Sequence, residues 1–117
     1  MSDLSTPSAF EMLREQYARR LPASLDELTG PKAGTVELPL HVVWSGRRSY
    51  GLEQPRSRMS LYRTVLTEGQ RQDVVSFLHR ELLVAQWPIL RTLISRPLRD
   101  AWEDRFPELA THTSAAA

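Results

Sequence analysis

A chain of 117 residues with 41% hydrophobic and 25% charged residues fits one globular domain with a modest core, and its formal net charge of +1 excludes global steering toward nucleic acid or membrane. The absence of cysteine excludes a disulfide framework, a thiol nucleophile and a cysteine-based zinc knuckle. The first residues, MSDLSTPSAFEML, lack the basic and apolar regions of a secretory leader, and no run approaches the roughly 20 apolar residues of a membrane span, so a cytoplasmic protein without a membrane segment is expected.

Thr6-Pro7 and Ser8 open a first helix, with Glu11 placed to complete a capping box. Phe10, Leu13, Tyr17 and Leu21 recur at helical spacing as a core-facing stripe, Arg19 and Arg20 fall in the last turn, and Pro22 ends the helix. Ser24 and Glu27 repeat the capping-box spacing around a single helical turn, which Gly30-Pro31 stops. From Thr35 the period changes to two. Val36, Leu38, Leu40, Val42 and Trp44 alternate with Glu37, Pro39, His41 and Val43, which predicts a strand with one apolar face. Pro39 cannot donate a ladder hydrogen bond, so this strand lies on an edge or breaks there. Ser45-Gly46-Arg47-Arg48 forms a turn with two arginines at its tip, and a return strand through Ser49, Tyr50 and Leu52 brings Trp44 and Tyr50 close across the pair.

Helical spacing returns at Pro55. Met59, Tyr62, Val65 and Leu66 form one stripe closed by Gly69, and Val74, Phe77, Leu78, Leu82 and Ala85 form a second, widened by Leu83 and Trp87 into the expected core. Pro88 and Pro97 divide this region into short helices, because an interior proline costs about 3 kcal/mol. Ser95 caps the last helix, in which Leu98, Trp102 and Phe106 recur every fourth residue, Arg96/Asp100 and Arg99/Glu103 make pairs four apart, and Pro107 ends the run. The expected architecture is α+β: a helix-dominated single domain over residues 1–109, with one small hairpin near 35–52 and a disordered tail at 110–117.

Catalytic signatures are absent. His41, His79 and His112 have no zinc-ligand spacing, and His79 reads as a residue at a helix end. Ser45 and Ser49 lack both a nucleophile elbow and an acid to orient His41 as a base. Gly46, Gly51 and Gly69 do not make a phosphate-cradling loop. No metal, cofactor or catalytic residue is therefore assigned. Asp100, Glu103, Asp104 and Glu108 read as a solvated acidic face, with mating to a basic surface of another copy as the functional alternative. The oligomeric state has no sequence signature.

The informative constellation runs from Trp44 to Arg63. It holds Arg47, Arg48, Arg56, Arg58 and Arg63 against Glu53, a local charge of about +4, interleaved with Trp44, Tyr50 and Tyr62. Such a patch docks an acidic protein or contacts phosphates with aromatic stacking, whereas its plain structural meaning is core aromatics beside a solvated turn. Arginine dominates the basic residues, Lys32 being the one lysine, which a G+C-rich coding sequence explains as readily as a demand for planar anion contacts.

The segments LPLHVVWSGRRSYGL, LLVAQWPIL and LRDAWEDRFPEL resemble a group of small bacterial proteins, some encoded beside nucleotidyltransferase-type toxins of abortive-infection systems. That resemblance spans Leu25 to Leu109 and implies a regulatory, antitoxin-like role without catalytic residues. Antitoxins of that type often carry an N-terminal winged-helix part, which this chain lacks a pattern for, so protein contact is expected over operator binding. The expectation is a non-enzymatic interaction module that binds a protein partner through Arg47, Arg48, Arg56 and Arg58, with Trp44 and Tyr50 supplying apolar area. A nucleic-acid-binding regulator using the same arginines is the alternative.

Overall fold

Ser8 starts the first helix as its spacing to Glu11 requires. In the computed structural model, which describes residues 8–44 and 46–110, the Ser8 hydroxyl accepts from the Glu11 amide at 3.1 Å and the Glu11 carboxylate accepts from the Ser8 amide at 2.9 Å. Thr6-Pro7 and nearly all of the expected tail lie outside the described residues; Ala110, its first residue, is half-buried. Helix α1 (Ala9–Ala18) ends just before Arg19 and Arg20, so these follow the helix instead of filling its last turn.

The expected core stripe of α1 is a correction. Phe10 and Leu13 are exposed, and Leu21, beyond the helix, is the one member fully buried. Tyr17 and Ala18 are partly buried and pack against the core, and the exposed stretch of the helix is tied by charge to α5 (Arg96–Arg105). Arg14 bridges Asp100 at 2.6 Å and Asp104 at 2.9 Å, and the Arg96 guanidinium lies 5.7 Å from the centre of the Phe10 ring. Asp100 therefore pairs across elements, not with Arg96 of its own helix.

Ser24 accepts from the Asp26 amide at 3.1 Å and starts a 3₁₀ turn, Leu25–Glu27, which buries Leu25. The following segment crosses the junction of α3 (Arg71–Phe77) and α4 (Arg80–Leu90). There the Gly30 amide donates to Leu78 O at 2.8 Å, and a Cβ on Gly30 would lie 2.4 Å from the Phe77 carbonyl carbon. Glycine is required by this close backbone approach.

The predicted hairpin exists but is short. Strands β1 (Thr35–Glu37) and β2 (Ser49–Gly51) pair antiparallel, with Thr35 opposite Gly51, Val36 opposite Tyr50 and Glu37 opposite Ser49. Leu38 makes one further bond, its amide donating to Arg48 O at 2.9 Å, and the ladder stops at Pro39, whose carbonyl instead accepts from Val42 and Val43 in a turn. The expected alternation consequently fails after Leu38. Val42 remains buried, whereas Leu40 and Trp44 point to solvent, and Tyr50 lies across from Val36 rather than Trp44.

Helix α2 (Pro55–Glu68) buries Tyr62, Val65 and Leu66 of the expected stripe, leaves Met59 partly buried, and buries Leu61 in addition. Gly69 caps it in an extended conformation, where a Cβ would lie 2.7 Å from Val65 O. At the α3–α4 junction the His79 amide donates to the Tyr62 hydroxyl at 2.9 Å, and His79 Nδ1 accepts from the Glu81 amide as the cap of α4. Burial pushes the Tyr62 hydroxyl up to about 12, against the opposing pull of the His79 backbone hydrogen bond and the Arg58 charge. Pro88 lies within α4, which continues to Leu90, so the helix boundary falls later than that proline suggests. Ser95 occupies the cap position of α5 without a side-chain capping bond.

One cluster of buried apolar side chains joins these elements, with α1 contributing the partly buried Tyr17 and Ala18 at its margin. Its aromatic centre is Trp87, Trp102 and Phe106, with ring centres 6.4 Å and 5.4 Å apart along the series. Glu103 closes it on one side, accepting from Trp87 Nε1 at 2.9 Å and from Arg91 Nε at 2.7 Å. Burial pulls the Glu103 carboxyl upward, but hydrogen bonds from Arg91 and Trp87 and the charges of Arg91 and Arg99 outweigh it and hold the group below its ordinary value. A lowered folded-state value adds stability above the unfolded carboxylate range and loses it as pH falls through the folded value. Glu103→Gln is expected to lower unfolding free energy at pH 7 by about 1–3 kcal/mol and to flatten its decline in acid. Denaturant melts at pH 7 and pH 3 measure both; an unchanged pH 7 midpoint would contradict this role.

Candidate functional site

The basic constellation is built where the hairpin meets the first turn of α2. The buried Ser57 hydroxyl accepts from the Gly51 amide at 2.9 Å and from Arg47 Nη2 at 3.3 Å. Arg58 Nη1 donates to Leu52 O at 2.9 Å, and Arg47 Nε donates to Ser49 O at 2.8 Å. The Tyr50 hydroxyl returns a bond to Arg47 O at 2.9 Å while the Arg47 guanidinium stacks 5.5 Å from the Tyr50 ring centre. Three of the expected contact residues thus have internal work. Tyr50 is buried and offers no apolar area to a partner, and Arg47 and Arg58 staple the return limb of the hairpin to α2.

The outgoing limb has its own anchor. His41 Nε2 lies 2.9 Å and 3.0 Å from the two carboxylate oxygens of Asp73, a buried residue whose Oδ2 also accepts from the Gln70 amide at 2.8 Å. Sequence reasoning missed this pair, because it joins residues 32 apart in the chain and neither belongs to a motif. Leu38 and Val42 are buried on the same limb. Ser45, weighed above as a nucleophile, lies outside the described residues, and Ser49 is an exposed strand residue. No described nucleophile bonds to His41, and among the described residues no three His, Asp or Glu side chains gather as a metal site.

Between these anchors the chain presents Trp44 at 85% exposure and Leu40 at 61%. Gly46, with φ of 88°, turns the backbone just beyond. Arg47 and Arg48 lie on the return limb rather than at the tip. Arg48 is half-buried, Arg56 is exposed at the first turn of α2, and neither side chain has a hydrogen bond or carboxylate partner among the described residues. Glu53, the acid of this segment, is occupied by the Gly34 amide at 2.8 Å. Arg56, Met59, Ser60 and Arg63 share one face of α2 and, with Leu93, line an open depression of mixed basic and apolar side chains.

The acidic cluster is spoken for elsewhere. Asp100 and Asp104 hold Arg14, Glu103 holds Arg91, and Glu108 holds Arg80 at 3.2 Å. Asp100, Asp104 and Glu108 are exposed, as a solvated face requires, while Glu103 is part-buried, and the ion pairs of all four leave no free complement to the basic hairpin. Compared with known proteins, the chain matches no family model, no curated protein and no solved structure, so the site is argued from its own geometry.

Trp87 and Trp102 are essentially fully buried, which makes Trp44 spectroscopically separable. Iodide is expected to quench one accessible tryptophan population in the free protein, and Trp44→Phe is expected to remove it. Uniform protection of all three tryptophans would contradict the exposed loop. Asp73→Ala is expected to cost about 1–3 kcal/mol, since it removes acceptors for both His41 and the Gln70 amide; a chemical denaturation midpoint equal to that of the original protein would contradict the anchor.

Proposed function

We propose that this protein is a small non-enzymatic interaction module, antitoxin-like in role, that binds an acidic protein surface through the loop bearing Trp44 and the adjoining arginines. The observation that carries this reading is a large aromatic side chain at 85% exposure on a loop whose two limbs are both anchored. Leaving such a ring in water is unfavourable, and a loop held in place loses little further entropy when a partner covers it. Arg48 and Arg56, free of internal acids, supply charge for orientation and association rate, and Trp44 supplies the buried anchor. Neutralisation of a toxin by surface masking needs no catalytic group, in keeping with the resemblance described above.

The unpaired arginines also support a second reading, a nucleic-acid-binding regulator in which they meet phosphates. Salt separates the two, because phosphate binding falls log-linearly with salt concentration whereas an interface anchored by an aromatic ring responds weakly.

The test is co-purification of the full chain from its native cell with and without nuclease, alongside the Trp44→Ala and Arg48→Glu/Arg56→Glu variants. A partner that survives nuclease and is weakened roughly 30-fold by Trp44→Ala, an effect of about 2 kcal/mol, is the expected result. Nuclease-sensitive association, or a partner indifferent to both variants, would overturn the protein-binding reading.

A further inference from the structure

A second cationic feature lies on different residues from the hairpin surface and is independent of the protein-binding reading. Gln16, Arg19, Arg20, Gln70 and Arg71 line one open depression between the end of α1 and the start of α3. Every lining side chain carries hydrogen-bond donors; none is a carboxylate and none is apolar. We propose that this depression binds a phosphate group carried by a small molecule.

Arg20 is the pre-positioned member. Its guanidinium packs 5.7 Å from the centre of the Tyr17 ring and its Nη1 donates to Thr67 O at 3.4 Å, which holds the planar fork in place while most of its donors stay available. Arg19 and Arg71 supply the flanking charges. Arg19 meets Glu15 at 3.0 Å, with both side chains about two-thirds exposed or more, and Arg71 meets Glu27 at a loose 3.6 Å. Solvated pairs of this kind contribute little, and each uses only part of a five-donor guanidinium. Three like charges around one depression repel one another, and an oxyanion with several acceptor oxygens relieves that repulsion while filling the free donors.

A small ligand fits better than a nucleic-acid strand. The neighbouring depression shares Gln70 and Arg71 but is otherwise lined by His41, Gln72, Val75 and Ser76, so the guanidinium groups do not continue as a track for a polymer backbone.

The experiment is an NMR titration of the full chain with inorganic phosphate and with pyrophosphate, at ionic strength held constant with sodium chloride, observing the arginine side-chain signals. Saturable shifts are expected at Arg19, Arg20 and Arg71, with pyrophosphate binding more tightly than phosphate. Arg19→Gln/Arg71→Gln alters exposed side chains only and is expected to weaken pyrophosphate roughly tenfold or more with the rest of the spectrum preserved. Arg20→Lys, which keeps the charge and removes the fork, is expected to weaken it as well. Linear, non-saturating shifts, or saturation centred on Arg48 and Arg56, would overturn the site. A single-stranded oligonucleotide that saturates the same signals at lower concentration than pyrophosphate would replace the small-molecule ligand with a polymer and overturn the proposal in its present form. None of these results bears on whether Trp44 anchors a protein.

Discussion

The hydroxyl of Ser57 is the junction on which the candidate surface depends. A hairpin of three facing pairs is too short to persist alone, and the loop between its strands is held to the body partly by the buried Leu38 and Val42. Ser57 accepts from the backbone of β2 and from Arg47 at once, so a single buried oxygen fixes both the strand and the side chain that braces the loop against α2. The Arg58 bond to Leu52 O and the Tyr50 bond to Arg47 O complete the joint. His41 and Asp73 provide the matching constraint on the outgoing limb. A loop held at both ends presents Trp44 at little further conformational cost, and this links a local hydrogen-bond arrangement to a proposed binding role.

Arginine serves three physical purposes here. Arg47 and Arg58 satisfy backbone carbonyls and replace the sheet neighbours that the hairpin lacks. Arg14, Arg80 and Arg91 tie helices and loops together through carboxylates, Arg80 reaching both Asp26 and Glu108. Arg48, Arg56 and Arg63 remain without acids among the described residues, and Arg19, Arg20 and Arg71 crowd one depression. Near-neutral total charge therefore conceals an uneven pairing, in which Asp100 and Asp104 are taken up by Arg14 while the cations without acids among the described residues lie near the hairpin and α2.

Helix placement was largely legible in the sequence, because capping residues, glycines and apolar period act locally: Ser8, Ser24, Pro55 and Gly69 all stand at element boundaries. What failed required knowledge of neighbours. Phe10 and Leu13 have helical period yet are exposed, since only the Tyr17–Ala18 end of α1 packs on the core and Arg14 makes the ionic tie to α5. The strand alternation from Leu40 to Trp44 is periodic but unpaired, since Pro39 ends the ladder and no other strand lies beside it among the described residues. The basic patch was legible as charge, but its division into staples and free cations was not. That division depends on Ser57 and Leu52 carbonyl geometry, and the His41–Asp73 anchor arises only when α3 folds against the loop.

The anchored loop and the adjoining end of α2 are the proposed contact surface. Hydrogen–deuterium exchange of the chain, alone and bound to its co-purified protein partner, tests this most directly. Added protection concentrated in residues 38–44 and 46–48 and around Arg56 is expected. Protection confined to α1, α4 or α5, with the Trp44 loop exchanging as in the free chain, would contradict it.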